Sequence, residues 1–211
     1  MHKIILASGS PRRKEILEKA GIPCQVVVSG AEENLEQQGL SPKMFVQELA
    51  LIKGQAVAKE FVKSKEITYI ISADTVVVLG DKILGKPVSY EDAKKTLTKL
   101  SGNTHSVLTG ICLWQIGGEN SGKAVTACEE TKVVFKTLTN EKIEEYLACN
   151  EYMDKAGSYG IQEKGGEFVD HIEGDFLNVV GLPLNKLISL FESEFNFKLI
   201  IKNIENTFER K

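Results

Sequence analysis

Two long strand-forming segments stand next to each other in the middle of this 211-residue chain. Residues 105–116 and 124–135 are rich in apolar and β-branched residues, and the stretch between them, residues 117–122, contains three glycines. This pattern predicts an antiparallel hairpin of two long strands. A chain that devotes so much of its length to one hairpin must place an antiparallel pair in its sheet.

Further strand and helix signals surround the hairpin. Residues 3–7 predict a short buried strand, and residues 67–72 and 76–79 predict a buried strand region that Asp74 interrupts. Because helices and strands are mixed without strict alternation, we expect a mixed α/β fold, with an elongated twisted sheet flanked by helices, rather than a doubly wound parallel sheet. Five helices are expected, opening at Ser10-Pro11, Ser41-Pro42, Ser89, Thr139 and Pro183.

Two segments carry more specific structural expectations. Residues 157–181 are rich in glycine and are expected to form strands and tight turns. The second helix should bury one apolar face at helical spacing, formed by Phe45, Leu49, Ile52 and Ala56.

The composition limits the classes of partner. The formal net charge is -3 and the sequence pI is about 5.8, so the protein has no global positive field to hold a long nucleic acid. A few basic residues gathered in one cleft could still bind a small anion. The apolar start of the chain is short and no apolar run could cross a bilayer, so we expect a cytoplasmic protein with no membrane partner. The four cysteines lie far apart, which indicates reduced and mostly buried thiols.

The first candidate site is the segment Ser8-Gly9-Ser10-Pro11-Arg12-Arg13. A strand end, a glycine turn and a capped helix start would bring backbone N–H groups and the positive helix end to one point, as a phosphate group requires. Two arginines in the first turn oppose the helix dipole, and an anion would offset that. The alternative is that Ser10 is only a cap and the arginines are solvated.

Acidic residues provide the second group of candidates. Asp74 lies between two apolar strand segments, where a carboxylate is costly to bury unless it is paired, hydrogen-bonded or metal-bound. It could instead form only an Asx turn. Glu32 and Glu33 could supply an oxygen ligand to Mg²⁺, or could belong to an acidic surface loop.

Three lysines, each within two residues of a glycine, complete the set of candidate residues. Lys53 lies on the second helix, Lys86 lies between Gly85 and Pro87, and Lys155 precedes Ala156-Gly157. Each alone is typical of a surface lysine. They would matter for function only if the fold brought them together.

Read together, these segments resemble one family, the Maf-like (septum-formation-inhibitor-like) nucleoside triphosphate pyrophosphatases. Within that family the chain is similar to the dTTP/UTP pyrophosphatase subgroup, because Arg12, Thr75 and Gln162 occupy the three positions that distinguish it from the subgroup similar to 7-methyl-GTP pyrophosphatases. The resemblance runs from residue 4 to about residue 190, and the matching segments are residues 7–13 with Glu15, 72–75, 85–87, 100–102 with 109–110, 154–162 and 178–183.

The resemblance implies an α/β fold with a cleft between two lobes, a divalent cation (Mg²⁺ or Mn²⁺) and a homodimer. It implies that Asp74 accepts a proton from the attacking water and that Glu33 and Asp74 bind the metal. The matching cleft positions are Ser8, Arg13, Glu33, Lys53, Lys86 and Lys155. One departure is Gly54, where the family usually has alanine. Because glycine weakens a helix, we expect Lys53 to be less firmly placed.

The activity implied is hydrolysis of the α/β phosphoanhydride of dTTP and UTP, and of modified pyrimidine nucleoside triphosphates, to the monophosphate and pyrophosphate. Thr75 and Gln162 are expected to read the pyrimidine edge. An alternative function is a nucleotide-binding regulator of cell division or septum formation with little hydrolysis. We expect residues 1–195 to form a single two-lobed domain, and residues 196–211 match no motif of the family.

Overall fold

The hairpin expected from the sequence forms the centre of a seven-stranded sheet. The structure is a computed structural model that describes residues 2–31, 37, 39–63 and 66–202. Its strands are β1 (His2–Leu6), β2 (Gln25–Val26), β3 (Ile67–Leu79), β4 (Lys82–Leu84), β5 (Thr104–Ile116), β6 (Ala124–Phe135) and β7 (Val169–Glu173). Its helices are α1 (Pro11–Lys19), α2 (Pro42–Phe61), α3 (Tyr90–Leu100), α4 (Asn140–Leu147), α5 (Phe176–Val180) and α6 (Leu184–Phe195), with 3-10 turns at Ala156–Ser158 and Lys164–Phe168.

The sheet mixes parallel and antiparallel pairs, which confirms the expected fold class. The strand order is β2-β1-β3-β5-β6-β7, and β4 pairs with β3 beside this path. Strand β1 runs parallel to β2 and β3, whereas the β3-β5, β5-β6 and β6-β7 pairs are antiparallel. No helix within the described residues combines the length and the apolar character needed to cross a bilayer.

Along one edge, β3 pairs with two different strands, β1 and β4, which leave a gap between them. Strand β1 pairs with β3 as far as Ile71, and β4 begins to pair at Val77, so residues 72–76 lie between the two. The expectation that Asp74 interrupts the strand was wrong, because β3 continues through it and Asp74 is paired with Gly110 of β5. One side of β3 is therefore held by β5 while the other faces an opening at Asp74.

Helix α2 packs closely against this part of the sheet, and its buried face differs from the expected one. Of the four residues assigned to that face only Leu49 is buried, while Phe45, Ile52 and Ala56 are half-buried. The buried side chains are instead Val46, Leu49, Ala50, Val57 and Ala58, together with Gly54. Small residues at this face allow the helix backbone to approach the strands, and the bulkier side chains lie to the sides.

The segment 157–181 contains β7 as expected, but it also contains α5, which was expected to be extended. The short apolar sequence of α5 has no clear helical period. It is helical because Asp175 caps it, accepting a hydrogen bond from the Leu177 backbone, and because Asn178 is buried with its side-chain amide bonded to the Val107 carbonyl and Thr131 Oγ1. The cap is a local contact, but the bonds of Asn178 go to the distant strands β5 and β6, so the local sequence could not predict them.

The four cysteines are free, but the expectation that most of them are buried was wrong. Only Cys112 is buried, and Cys24, Cys128 and Cys149 are half-buried.

The division into a domain over residues 1–195 and an unassigned extension stays a prediction. In the described part of the extension, Leu199 is buried and the Phe197 ring lies 4.9 Å from that of Tyr69. Phe197 and Leu199 therefore pack on the core.

Gly110 should be essential for the packing of α2 on the sheet. A Cβ atom at this position would collide with the backbone of Val46 in α2, which cannot rotate away as a side chain can. We expect Gly110→Ala to lower the free energy of unfolding by about 3 kcal/mol or more, measured by urea unfolding. Gly30→Ala is the matched control, because no described atom lies within 4 Å of its added Cβ. Equal stability of the two variants would contradict this account.

Candidate active site

One cavity gathers the residues that the sequence singled out in different parts of the chain. It has a volume of about 390 Å³ and lies at the open edge of β3. Glu33, which was expected to bind substrate and metal, lies outside the described residues. The other nine candidates all line this cavity: Ser8, Arg12, Arg13, Lys53, Asp74, Thr75, Lys86, Lys155 and Gln162.

Arg13 connects three segments of the cavity wall. Its Nε donates to the Gly181 carbonyl at 2.8 Å, Nη1 donates to Ser8 Oγ at 3.0 Å and Nη2 donates to Thr75 Oγ1 at 3.2 Å. Gly181 follows α5 at φ 125°, in the left-handed region that favours glycine. The guanidinium is thus fixed by bonds to the loop after β1, to β3 and to the end of α5.

The loop before α1 differs in one detail from the expected phosphate cradle. Ser10 occupies the N-cap position with Pro11 following, but its side chain makes no capping bond. The Ser10 backbone N–H instead donates to Ser8 Oγ at 3.2 Å. Arg12 and Arg13 lie in the first turn of α1, which contains no acidic residue. Both arginines and the start of the helix line the same cavity, so the positive helix end and the two guanidinium groups act there together.

Lys53 and Asp74 form an ion pair on the wall of the cavity. Lys53 Nζ lies 2.6 Å from Asp74 Oδ1, and the two side chains are only 15% and 14% exposed. Because both groups are largely withdrawn from water, the pair is held more firmly than a surface ion pair. The contact orients the Asp74 carboxylate, and α2 provides the lysine that does so.

Gly54 has a different effect on Lys53 from the one expected. A Cβ atom at this position would lie 2.6 Å from Ser72 Oγ and 2.7 Å from Trp114 Nε1. Glycine therefore lets α2 lie directly against the face of the sheet that carries Ser72 and Trp114. In this chain the residue supports the placement of Lys53 through close packing, although it lowers the intrinsic helix propensity.

Lys155 is buried and surrounded by acceptors. Its Nζ lies 2.9 Å from Asp154 Oδ1 and 2.9 Å from Glu163 Oε2, and it also donates to the Glu151 carbonyl. Asp154 additionally lies 3.5 Å from Arg12 Nη1. Partial burial raises the pKa of the Asp154 carboxyl, but the hydrogen bond from Lys155 and the charges of Lys155 and Arg12 outweigh this and hold the pKa below its ordinary value.

Lys86 reaches the same cavity through a backbone contact between two loops. The Gly157 N–H donates to the Gly85 carbonyl at 3.1 Å, which joins the loop after β4 to the 3-10 turn after Lys155. Lys86 and Gln162 are both exposed at the cavity. The convergence of the three lysines, which the sequence left open, is therefore present in the structure.

Two acidic residues of the cavity were not assigned a role from the sequence. Asp154 is the first residue of the matching segment 154–162 and Glu163 follows it, but a carboxylate near a lysine gives no local signal of a site. With Asp74 they make three acidic side chains in a lining that holds five basic ones, Arg12, Arg13, Lys53, Lys86 and Lys155. The described side chains of the lining therefore carry a formal charge of +2, which suits a polyanionic ligand.

His105 lies beneath the cavity and does not line it. Its Nε2 is 2.8 Å from the hydroxyl of Tyr159, a residue that does line the cavity, and burial lowers the pKa of His105 to about 4. The imidazole is therefore neutral at pH 7. His2 and His171 do not line the cavity either.

The comparison with known proteins decides the family. The model of the Maf-like protein family matches residues 3–194. The chain belongs to the Maf-like family.

Two relatives of this Maf-like protein carry the name dTTP/UTP pyrophosphatase. One, from Bacillus anthracis, is 49% identical over 188 residues, which cover 89% of this chain and 93% of the relative. The other, from a strain of Bacillus cereus, is 50% identical over 188 residues, which cover 89% and 88%. A solved structure of the Ham1 protein of Staphylococcus aureus is 14% identical, covers 91% of this Maf-like chain and 99% of its own, and has a TM-score of 0.48.

The buried His105 should make the stability of this Maf-like protein depend on pH. A histidine in the unfolded chain titrates near pH 6.5, so between about pH 6.5 and about pH 4 the unfolded chain binds a proton that the folded chain does not. The contribution of this group is fully present above about pH 6.5. Below that pH, the free energy of unfolding should fall by roughly 1.4 kcal/mol for each pH unit.

Urea unfolding between pH 7.5 and pH 4 would measure this slope, and His105→Gln should reduce it. His171→Gln is the control, because His171 is exposed and Asp170 raises its pKa, which gives the opposite sign. An unchanged slope in His105→Gln would exclude the buried imidazole as its source.

Proposed function

We propose that this Maf-like protein hydrolyses the α/β phosphoanhydride bond of dTTP and UTP, releasing the nucleoside monophosphate and pyrophosphate. The observation that carries the proposal is one cavity whose described lining brings five basic side chains together with the Asp74 carboxylate, which is paired with Lys53. The name dTTP/UTP pyrophosphatase, borne by relatives 49% and 50% identical to this chain, supports the choice of substrate.

The basic side chains would bind the triphosphate. Arg12 and Arg13 stand at the start of α1, where helix N–H groups add to the positive field, and the three lysines line the same cavity. Arg13 is held by three hydrogen bonds, so it would bind a phosphate group with little loss of conformational freedom. Asp154 and Glu163 neutralise Lys155 before the substrate enters, and the phosphates would compete with them for that lysine.

Asp74 would act on the attacking water. Its carboxylate is paired with Lys53, whereas Asp154 and Glu163 are paired with Lys155. It lies at the opening in the edge of β3. A carboxylate so oriented can accept a proton from water as the water attacks in line with the leaving pyrophosphate. Lys53 would stabilise the charge that develops on the phosphoryl oxygens.

A divalent cation, Mg²⁺ or Mn²⁺, fits this site as a partner of the substrate. Within residues 2–31, 37, 39–63 and 66–202, no group of three or more His, Cys, Asp or Glu side chains is arranged to hold a metal ion. A metal carried by phosphates needs only one or two protein carboxylates, and Asp74 offers an oxygen donor in the cavity. We propose Asp74 and Glu33 as its protein ligands. When bound, the cation would neutralise charge on the phosphates.

Gln162 would contribute to recognition of the pyrimidine. Its side chain is exposed at the cavity, and an amide offers both a donor and an acceptor to the edge of a base. A purine would be rejected because of its larger size and because it would leave such polar groups unpaired. Modified pyrimidine nucleoside triphosphates present a similar edge, and we include them as candidate substrates.

A nucleotide-binding regulator with little hydrolysis would use the same cavity. The two functions differ in whether pyrophosphate appears when the protein is mixed with dTTP or UTP and Mn²⁺ or Mg²⁺. Release of pyrophosphate at a catalytic rate, lost on adding a chelator and restored by the metal, would support the enzyme. Tight nucleotide binding without product would support the regulator.

Asp74→Asn should abolish most of the turnover while leaving nucleotide binding largely intact. Asparagine keeps the size of the side chain but cannot accept the proton from water, so we expect kcat to fall by about 10²- to 10⁴-fold. Pyrophosphate release from dTTP and UTP measures the rate, and calorimetry measures the binding. Asp81→Asn is the control, because Asp81 is exposed and does not line the cavity. If Asp74→Asn retained most of the wild-type rate, Asp74 would not be the base.

A further inference from the structure

Three hydrogen bonds run from the cavity into the protein interior. Arg13 Nη2 donates to Thr75 Oγ1 at 3.2 Å, Thr75 Oγ1 lies 2.9 Å from Thr109 Oγ1, and Thr109 Oγ1 donates to the Asn178 backbone carbonyl at 3.0 Å. Thr109 and Asn178 are fully buried. The four residues come from α1, β3, β5 and α5, so the bonds connect four separate elements.

The direction of each bond follows from the number of protons. The Asn178 carbonyl can only accept, so the single hydroxyl proton of Thr109 is used there. The bond between the two threonines must then use the hydroxyl proton of Thr75. Thr75 therefore presents only oxygen lone pairs toward the cavity, and one of them accepts from Arg13.

This arrangement bears on the expectation that Thr75 reads the pyrimidine by hydrogen bonding. Its one donor proton is directed into the interior, and its oxygen supports a guanidinium that faces the phosphate-binding side of the cavity. The register of the sheet keeps Thr75 and Thr109 directly opposite each other on β3 and β5. The contact is therefore imposed by the sheet itself.

We propose that Thr109 is a positioning residue for Arg13, and that it acts through Thr75 by fixing the direction of the Thr75 hydroxyl. The inference rests on the proposed function of the cavity and deepens it, because it assigns Thr75 and Thr109 a part in the binding of the triphosphate. A loss of this support should weaken binding of every ligand that carries the phosphates, by a common factor.

The test compares Thr109→Val, which removes the hydroxyl, with Thr109→Ser, which retains it. Thr68→Val is the matched control: Thr68 is also fully buried and lies on β3, its hydroxyl donates to the Glu66 carbonyl at 3.3 Å, and it does not line the cavity. Thr75→Val removes the other hydroxyl of the bond between the two threonines. It replaces Thr109→Val if that variant does not fold.

Two measurements on these variants separate phosphate positioning from base reading. The first is the affinity for inorganic tripolyphosphate, which has no base. The second is the pair of KM and kcat values for dTTP and for UTP. Removing a hydrogen bond that supports a charged group should weaken tripolyphosphate binding and raise both KM values about ten-fold, with little change in kcat. Thr109→Ser and Thr68→Val should remain near the wild type.

Other outcomes would overturn the inference. It fails if Thr109→Val matches Thr68→Val in tripolyphosphate affinity, or if Thr75→Val changes the ratio of dTTP to UTP hydrolysis while tripolyphosphate binding stays the same. Failure of the proposed function is a separate result, seen as absence of pyrophosphate release by the wild type. The tripolyphosphate affinities would still decide the role of Thr109 in that case.

Discussion

Arg13 bonds to three segments that are far apart in the sequence, and the rest of the cavity is arranged around it. A partly buried guanidinium is costly unless its N–H groups find acceptors. Here Ser8, Thr75 and the Gly181 carbonyl accept from it, so the loop after β1, the middle of β3 and the end of α5 must come together. Their meeting point forms one wall of the cavity.

The opposite wall depends on how closely α2 can approach the sheet. At Gly110 in β5 and at Gly54 in α2, no side chain separates the helix from the strands. The approach at these two positions is so close that an added Cβ atom would collide with its neighbours. The helix then lies near enough for Lys53 to reach Asp74 at 2.6 Å. Packing of small residues, which carries no charge, thus determines the geometry of the charged pair.

Much of the fold could be predicted because its signals are local. The long hairpin of β5 and β6 and the helices that begin after Ser41, Ser89 and Thr139 follow from alternation and capping, and the structure confirms them. Predictions failed where distant contacts decide the conformation. Asp74 continues a strand because β5 pairs with it, and α5 is helical with Asn178 bonded to β5 and β6.

The candidate site divides in the same way. The positions of Ser8, Arg12, Arg13, Lys53, Asp74, Thr75, Lys86, Lys155 and Gln162 were singled out from motifs, and the cavity contains all of them. The pairing of the charges was not predictable. Asp154 and Glu163 hold Lys155, and Asp74 holds Lys53, because the fold places each carboxylate within 3 Å of its lysine.

The sequence by itself determined most of the helices and strands, the family and the chemical groups at the site, since turns, caps and motifs depend on neighbours along the chain. Only the tertiary structure decided which group faces which. Thr75, whose sequence position suggested contact with the base, has its proton directed to Thr109 on the neighbouring strand. The reason is physical: a hydroxyl has one proton, and the partner that takes it is set by the register of the sheet and by a buried carbonyl from a distant helix.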